Sequence, residues 1–139
     1  MPEILVVDDQ ETNRVTLERI LRRENWGVSQ AKDGQVALEK VRENPPDVIV
    51  TDLKMPGLNG LELLKAVRAL HPEIEVILMT AYGTVETAVD AMKVGAYDYV
   101  TKPLKRSEIV SAVAKALEKK ALIQENKQLR AQLKGQHNI

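Results

Sequence analysis

The stretch ILVVDDQETN, residues 4–13, decides the fold of this chain. Four apolar residues lead directly into two adjacent aspartates, Asp8 and Asp9. A short apolar run is typical of a buried β-strand, whereas neighbouring carboxylates repel each other, and partial burial strengthens that repulsion. The pattern therefore predicts either that a positive charge is held where the strand ends or that the two aspartates lie in a solvated turn.

Four more apolar runs follow, and segments with helical periodicity separate them. The predicted strands cover residues 3–7, 26–31, 47–51, 75–80 and 97–100, and the predicted helices cover 11–23, 35–43, 60–70, 84–93 and 105 onward. Five strands alternating with five helices indicate a parallel sheet covered on both faces. The expected fold is α/β: a flavodoxin-like, doubly wound (βα)5 parallel sheet with strand order 2-1-3-4-5 and an extended C-terminal helix.

The composition limits the class of protein. Lys and Arg number 20, Asp and Glu also number 20, and the formal net charge is therefore zero. A balanced charge argues against a nucleic-acid-binding module, which normally carries a basic excess. The chain has no cysteine for disulfides or thiolate metal sites, and no apolar segment as long as a membrane span. We therefore expect a cytoplasmic protein that contacts neither nucleic acid nor membrane directly.

The expected fold brings several reactive side chains to one place. In doubly wound sheets of this order the functional crevice lies at the carboxyl ends of the strands, between strands 1 and 3. Strand 1 leads into Asp8 and Asp9, and strand 3 into Asp52. Strand 4 ends at Thr80, and Lys102 follows strand 5. The sequence therefore predicts three carboxylates, a hydroxyl and an ammonium group at one edge of the sheet.

This set of side chains suits phosphoryl transfer. Carboxylates are hard oxygen ligands of the kind that Mg²⁺ prefers, and Asp52 can act as a nucleophile that forms an aspartyl phosphate. Mg²⁺ and Lys102 can neutralise the charge of the transferred group, and the Thr80 hydroxyl can donate a hydrogen bond to it. Each residue also has a structural alternative: Asp9 could cap the helix that begins near Glu11, and the others could be ordinary turn, strand or loop residues.

Four motifs carry a resemblance to a known family: VVDD (6–9), DLKMPGLNG (52–60), MTAYG (79–83) and YDYVTKP (97–103). In this order they resemble the motifs of the response-regulator receiver domains of bacterial two-component signalling, over roughly residues 3–120. The resemblance implies that a sensor histidine kinase donates a phosphoryl group to Asp52 with Mg²⁺ as cofactor. It also implies a regulatory domain, not an enzyme, which catalyses only its own phosphorylation and dephosphorylation.

The resemblance further implies a role for each site residue. Asp9 and Asp52 would bind Mg²⁺ directly, and Asp8 would act through a water molecule. The other roles would fall to Lys54 (its backbone carbonyl on the metal), Thr80 and Tyr99 (a pair of switch residues) and Lys102 (contact with the phosphoryl group). The Lys102–Pro103 peptide bond is expected to be cis.

The helical pattern after residue 105 continues without Pro or Gly until Gly135. Val110, Val113 and Leu117 are expected to pack on the sheet. Farther along, Leu122, Asn126, Leu129 and Leu133 have the 4-3-4 spacing of a short coiled-coil seam, with Asn126 as a polar position that sets the register. We therefore expect a receiver domain at 1–120 and, at 121–139, a helical linker that serves as a coiled-coil dimerisation segment or as a solvated helix.

The tail, together with MTAYGTVETAVDAMKVGAYDYVTKP (79–103), resembles the nitrogen-regulatory subfamily of receivers, which belong to activators of polymerase bound to an alternative sigma factor. In that family an ATPase and a DNA-binding domain follow the receiver, and the present sequence has no phosphate-binding loop of the G-x-x-x-x-G-K-[ST] kind. The function expected from the resemblance is a switch in which phosphorylation changes conformation and dimerisation and so regulates a transcription-activating output. The alternative is a stand-alone receiver or phosphorelay shuttle that acts through protein contacts.

Three other classes of protein share parts of this pattern. A Mg²⁺-dependent phosphatase with an aspartate nucleophile would carry a D-x-D motif after strand 1, where this sequence has DDQ. A flavin carrier would need a phosphate-binding loop there, and the acidic DDQETN segment would repel the flavin phosphate. An interaction module with a dead site is disfavoured because Asp52, Thr80 and Lys102 are all present.

Overall fold

The fold alternates five strands with five helices along the chain. The structure is a computed structural model that describes the backbone of residues 1–81 and 85–137 and the side chains of residues 1–81 and 89–122. The elements are β1 (Glu3–Val7), α1 (Glu11–Arg22), β2 (Gly27–Ala31), α2 (Gly34–Glu43), β3 (Val48–Asp52), α3 (Gly60–Leu70), β4 (Glu75–Thr80), α4 (Val85–Val94), β5 (Asp98–Thr101) and α5 (Arg106–His137). All ten predicted elements are confirmed, because apolar runs and helical periodicity are strong signals in a sheet that is buried on both faces.

The five strands form one parallel sheet in the order β2-β1-β3-β4-β5, as predicted. All strands point the same way, so their carboxyl ends share one edge of the sheet, which we call the carboxyl edge. The opposite edge is called the base. The winding direction of the chain reverses between β1 and β3, and the crevice that this reversal opens lies at the carboxyl edge.

Two aliphatic layers cover the faces of the sheet. Alternate residues of β1 point to opposite faces, and Leu5 and Val7 therefore pack in the cluster with buried residues of α2, α3 and α4. Ile4 and Val6 pack in the second cluster, with residues of α1 and α5. Phe is absent from the sequence, and both layers are built mainly from Val, Ile, Leu, Ala and Met. Within the described helices no segment is long and apolar enough to cross a membrane.

The packing face of α5 differs from the prediction at one position. Val113 is fully buried and Leu117 packs against the same cluster, as expected. Val110 is only half-buried, and Ile109, Ala112 and Ala116 complete the buried face instead. The spacing 109, 112, 113, 116 is the i, i+3, i+4, i+7 stripe of a helix on a flat surface, and Val110 lies at the margin of that stripe.

Cationic side chains cover the outer edge of β2. Along this edge strand, Val28 and Gln30 direct their carbonyl groups away from β1. Arg22 Nη2 donates to the Val28 carbonyl at 3.0 Å, and Lys40 Nζ donates to the Gln30 carbonyl. Arg14 Nε donates to the Gln30 side chain at 3.1 Å. The two outward carbonyls are therefore paired within the chain.

The loop between β3 and α3 depends on two glycines for different reasons. A Cβ added at Gly60 would lie 2.3 Å from the Asp52 carbonyl oxygen and 2.9 Å from Leu53 Cα, both backbone atoms. Gly57 has a φ of +74°, and a Cβ there would meet nothing within 4 Å. Gly60 therefore allows α3 to begin directly against the end of β3, whereas Gly57 allows a left-handed turn.

We predict that Gly60→Ala destabilises the protein more than Gly57→Ala. The first substitution forces the backbone at Asp52 to move and should lower the free energy of unfolding by about 1–3 kcal/mol, although Ala favours helix. Gly57→Ala should lower the free energy of unfolding by only about 1 kcal/mol, because alanine disfavours the left-handed backbone conformation of this residue but meets no neighbouring atom. Urea denaturation of both variants measures the difference. Equal stability of Gly60→Ala and the parent would contradict the close approach of α3 to Asp52.

Candidate functional site

The turn after β1 holds Asp8 inside the protein. The Asp8 side chain is 0% exposed. Its Oδ1 accepts a hydrogen bond from the Gln10 N–H at 2.9 Å, and its backbone carbonyl accepts one from Arg14 Nη1 at 2.7 Å. The Asp8 N–H donates to the Ala31 carbonyl of β2. These bonds fix the buried carboxylate at the carboxyl edge.

Asp9 does not cap α1. The N-cap residue is Gln10, which has an extended backbone and makes no side-chain capping bond. The capping alternative for Asp9 is therefore wrong. Asp9 is exposed, and one carboxylate oxygen from each of Asp8, Asp9 and Asp52 lies within 4.8 Å of the other two. The predicted convergence of three carboxylates is present.

A lysine lies between two of these carboxylates. Lys102 Nζ is 3.2 Å from Asp52 Oδ2 and 3.3 Å from Asp8 Oδ2. The Lys102 backbone N–H donates to the Thr80 carbonyl at 2.8 Å, which holds the β5–α5 loop against the end of β4. The Lys102–Pro103 peptide bond is cis, as expected. Of the two alternatives for the opening motif, the structure therefore supports a positive charge at the end of the strand, supplied by a residue 94 positions away from Asp8.

The electrostatics of the cluster are unbalanced. Burial raises the pKa of the Asp52 carboxyl group, Asp8 raises it further, and Lys102 and the Lys54 backbone only partly oppose this. Burial by itself would favour the neutral amine of Lys102, but the carboxylates of Asp52 and Asp8 raise its pKa above the ordinary value. Three carboxylates against one ammonium leave excess negative charge. Hard oxygen donors with uncompensated charge fit a divalent cation such as Mg²⁺.

The remaining predicted residues lie around this cluster. Thr80 is buried at the end of β4, and Lys54 follows β3 in the loop that leads to α3. Tyr99 is half-buried on β5, where its Cα pairs with Leu78 of β4. Thr80 pairs in the same register with Thr101, so Thr80 and Tyr99 lie on adjacent strands, two residue positions apart. The structure therefore brings Thr80 and Lys54 next to the carboxylates and places Tyr99 farther along the neighbouring strand.

Sequence reasoning missed two residues that support the site. Arg14 holds the Asp8 carbonyl, and Gly60 lies against the Asp52 carbonyl. Gly60 is the last residue of the DLKMPGLNG motif, but its close approach to Asp52 is a tertiary contact. Arg14 carries no local signal, since an arginine on a surface helix is ordinary.

This fold and this site define a class of signalling protein. Residues 4–114 match the family model described as "Response regulator receiver domain", and the chain belongs to this family. It is 44% identical over 115 residues to the transcriptional regulatory protein ZraR of Escherichia coli K12, and 39% identical over 114 residues to the DNA-binding transcriptional regulator NtrC of the same strain. These likenesses support the nitrogen-regulatory subfamily.

The matches differ in how much of each relative they cover. They involve 83% and 82% of this chain but only 26% of ZraR and 24% of NtrC. The chain thus spans about a quarter of the length of those relatives. It also covers 93% of the sporulation initiation phosphotransferase F of Bacillus subtilis, at 37% identity over 115 residues. Among solved structures, the beryllofluoride-activated NtrC4 receiver domain dimer matches with a TM-score of 0.82 and 34% identity, over 86% of this chain and 99% of that one.

We predict opposite effects of two aspartate-to-asparagine substitutions in the absence of divalent cations. The pKa of Asp52 is higher in the folded protein than in the unfolded chain, so the ionised carboxylate destabilises the folded state at neutral pH. This destabilisation disappears as the pH falls through the raised pKa. Partial burial by itself would raise the pKa of Asp47, but the hydrogen bonds from Lys120 and from the Glu3 N–H lower it below its ordinary value. The Asp47 carboxylate therefore stabilises the folded protein at pH values above the unfolded-state pKa of about 4. This stabilisation is lost as the pH falls through the lowered pKa of the folded state.

In EDTA at neutral pH, Asp52→Asn should therefore raise the melting temperature and Asp47→Asn should lower it. Each change is on the order of 1 kcal/mol, which for a domain of this size corresponds to roughly 3–5 °C. Thermal unfolding followed by circular dichroism measures both. A lower melting temperature for Asp52→Asn would contradict the excess negative charge assigned to the cluster.

Proposed function

We propose that this receiver domain accepts a phosphoryl group from a sensor histidine kinase onto Asp52, in the cytoplasm, with Mg²⁺ as cofactor. The observation that carries the proposal is the convergence of the Asp8, Asp9 and Asp52 carboxylates on one another, with Lys102 bonded to two of them. Asp9, Asp52 and the Lys54 backbone carbonyl would hold the metal, and Asp8 would act on it through water.

The transfer requires a nucleophile and positive charge. An Asp52 carboxylate oxygen attacks the phosphorus of a phosphohistidine, forming an O–P bond while the P–N bond breaks and the imidazole leaves. Mg²⁺, when bound, supplies charge that neutralises the phosphoryl oxygens. Lys102 Nζ lies 3.2 Å from Asp52 Oδ2 before the transfer. After the transfer the ammonium group would also contact the oxygens of the new phosphoryl group. The domain catalyses only this transfer and its own dephosphorylation.

Phosphorylation acts on a switch made of Thr80 and Tyr99. The Thr80 hydroxyl turns toward the phosphoryl oxygens, and the Tyr99 ring moves into the space that this vacates. The segment from Ala81 to Met92, of which residues 82–84 lie outside the described part of the chain, would shift with them and change the surface of α4, β5 and α5. The phosphoryl group biases this equilibrium only by interacting differently with the two states. The adjacent strand positions of Thr80 and Tyr99 support this pairing.

The output would be carried by the C-terminal helix. α5 continues to His137, well beyond the packed face that ends near Leu117, and Leu122 is 53% exposed. The other predicted seam positions, Asn126, Leu129 and Leu133, lie outside the described side chains. We infer a receiver domain at 1–120 and a coiled-coil linker at 121–139 through which two copies pair and regulate a transcription-activating output. The NtrC4 receiver, similar in structure, is a dimer when activated.

A second candidate function is that of a stand-alone receiver or phosphorelay shuttle. The observation in its favour is the match to the sporulation initiation phosphotransferase, of which this chain covers almost the whole length. Both candidates use the same phosphorylation site, and they differ in the consequence of phosphorylation. A shuttle passes the group onward, whereas a switch changes its own assembly.

We predict that a small phosphodonor such as acetyl phosphate adds one phosphate to the protein in Mg²⁺. Replacing Mg²⁺ with EDTA should abolish the addition, because the phosphoryl charge then lacks its main counter-charge. Asp52→Asn should abolish it as well, since the amide is not a nucleophile. Intact-mass spectrometry measures the added mass. Full phosphorylation of the Asp52→Asn variant would show that another residue is the phosphoryl acceptor.

The metal requirement has a matched pair of variants. Asp9→Asn removes one carboxylate of the cluster and should slow phosphorylation, whereas Asp90→Asn removes an exposed carboxylate on α4, outside the cluster, and should not. Mg²⁺ at ten times its dissociation constant should stabilise the parent by about 1.4 kcal/mol, and Asp9→Asn should lose most of that gain. An equal response of both variants would count against Asp9 as a ligand.

We predict that 1–139 is a homodimer whose geometry or strength depends on the phosphorylation of Asp52. Light scattering with and without beryllium fluoride, which mimics the phosphoryl group, measures this directly. Deleting 121–139 should yield a monomer that is still phosphorylated on Asp52. A monomer in both states at high concentration would contradict the coiled coil. A dimer that small-angle scattering finds unchanged by the mimic would favour the shuttle.

A further inference from the structure

The base of the sheet carries a group of charges far from the phosphorylation site. Lys120 Nζ of α5 donates to Asp47 Oδ1 at 2.7 Å, and Lys119 Nζ lies 3.6 Å from Glu75 Oε1. Asp47 directly precedes β3, which ends at Asp52, so the two aspartates are about 16 Å apart along the strand. We call Asp47, Glu75, Lys119 and Lys120 the base clamp.

The Asp47–Lys120 pair is more than a surface contact. The Lys120 side chain is only 13% exposed, and Asp47 is one-third exposed. Asp47 Oδ2 also accepts the Glu3 N–H at 2.8 Å, and the Asp47 N–H donates to the Glu3 carbonyl. Asp47 is thus fixed to β1 before it contacts α5. A short charge-assisted bond to a carboxylate that is already held in place costs little additional ordering of that partner.

The second pair of the base clamp ties α5 to β4. The Glu75 side chain is 4% exposed at the start of β4, where a carboxylate needs a partner. Lys119 supplies it and lies over the Tyr97 ring, with its Nζ 5.4 Å from the ring centroid. The two successive lysines therefore reach the sheet at two points, one before β3 and one on β4.

The base clamp lies where α5 leaves the domain. Apolar packing of the helix on the sheet ends at Ala116 and the partly buried Leu117. Leu122 is already exposed, two residues after Lys120. Among the described side chains, Lys119 and Lys120 form the last ion pairs between α5 and the base of the sheet. The apolar face up to residue 117 and these two ion pairs therefore attach α5 to the sheet just before the helix leaves the domain.

We propose that the base clamp is a positioning device that fixes the direction of the linker helix, residues 121–137, relative to the receiver sheet. The proposal rests on the proposed function in one respect, namely that phosphorylation shifts β4, β5 and α5. A rigidly held linker helix would transmit this shift to the dimer seam. A helix that pivots near Ala116 would not transmit it. Lys119 and Lys120 are therefore positioning residues for the output, with no part in the phosphoryl transfer.

Interspin distance measurement tests the clamp in the unphosphorylated protein. The chain has no cysteine, so Arg42→Cys on α2 and Gln128→Cys on the linker helix create the only two labelling sites. Labelled protein diluted into an excess of unlabelled protein reports distances within one chain. We expect a single narrow distance peak for the parent background, and loss of that peak to a broad distribution in Lys120→Met and in Asp47→Asn.

Matched variants separate the clamp from general effects on the helix. Lys120→Arg keeps the charge and the donors and should retain the narrow peak. Lys115→Met removes an exposed lysine of the same helix that makes no ion pair among the described side chains, and it should also retain the peak. Retention of the narrow peak in both Lys120→Met and Asp47→Asn overturns the proposal, as does equal broadening in Lys115→Met. Circular dichroism confirms that each variant is folded.

Phosphorylation of the same variants separates this proposal from the proposed function. Because the base clamp lies at the opposite edge of the sheet, Lys120→Met should accept phosphate on Asp52 to the parental extent. It should lose the change in small-angle scattering that beryllium fluoride causes in the parent. A scattering response of Lys120→Met as large as that of the parent overturns the base-clamp proposal. If the parent itself accepts no phosphate, the proposed function is overturned, and the interspin distances still decide whether the base clamp fixes the linker helix.

Discussion

The charge balance at the carboxyl edge is the constraint on which the rest of the site depends. Asp8, Asp9 and Asp52 are held together by strands that cannot move apart, because β1 and β3 are neighbours inside a sheet buried on both faces. One lysine neutralises only part of this charge. A site with this excess of negative charge fits a divalent cation and is sensitive to the modification of one carboxylate, as the proposed phosphorylation trigger requires.

The same strand connects this trigger to the base of the domain. β3 has Asp52 at its carboxyl end and follows directly after Asp47. All its residues are buried, and close-packed interiors transmit displacements better than they absorb them. Charge is therefore placed at both ends of a rigid apolar element. One end lies at the cluster of carboxylates, and the other lies at α5 where that helix leaves the domain.

Most of the fold could be predicted because its signals are local. Apolar runs and helical periodicity place every predicted boundary within one residue of the structure. The site followed from one topological rule, that strand ends meet at the switch point. Contacts between distant segments carried no such signal. The predicted packing face of α5 is wrong at Val110, because Ile109 and Val110 are both apolar and only tertiary packing decides which of them is buried. The Asp47–Lys120 pair joins residues 73 apart, and neither has an unusual sequence context.

The cationic cover of β2 has a consequence for how two such molecules can meet. An uncovered edge strand is a template for pairing with the strand of another protein, and such pairing leads to aggregation or domain swapping. On β2 the Val28 and Gln30 carbonyls are engaged by Arg22 and Lys40. A β-strand of a second chain would have to displace these bonds before it could pair with β2. Sheet extension is thereby disfavoured at this flank of the domain, which leaves contacts between helices as the route by which two copies can associate without merging their sheets.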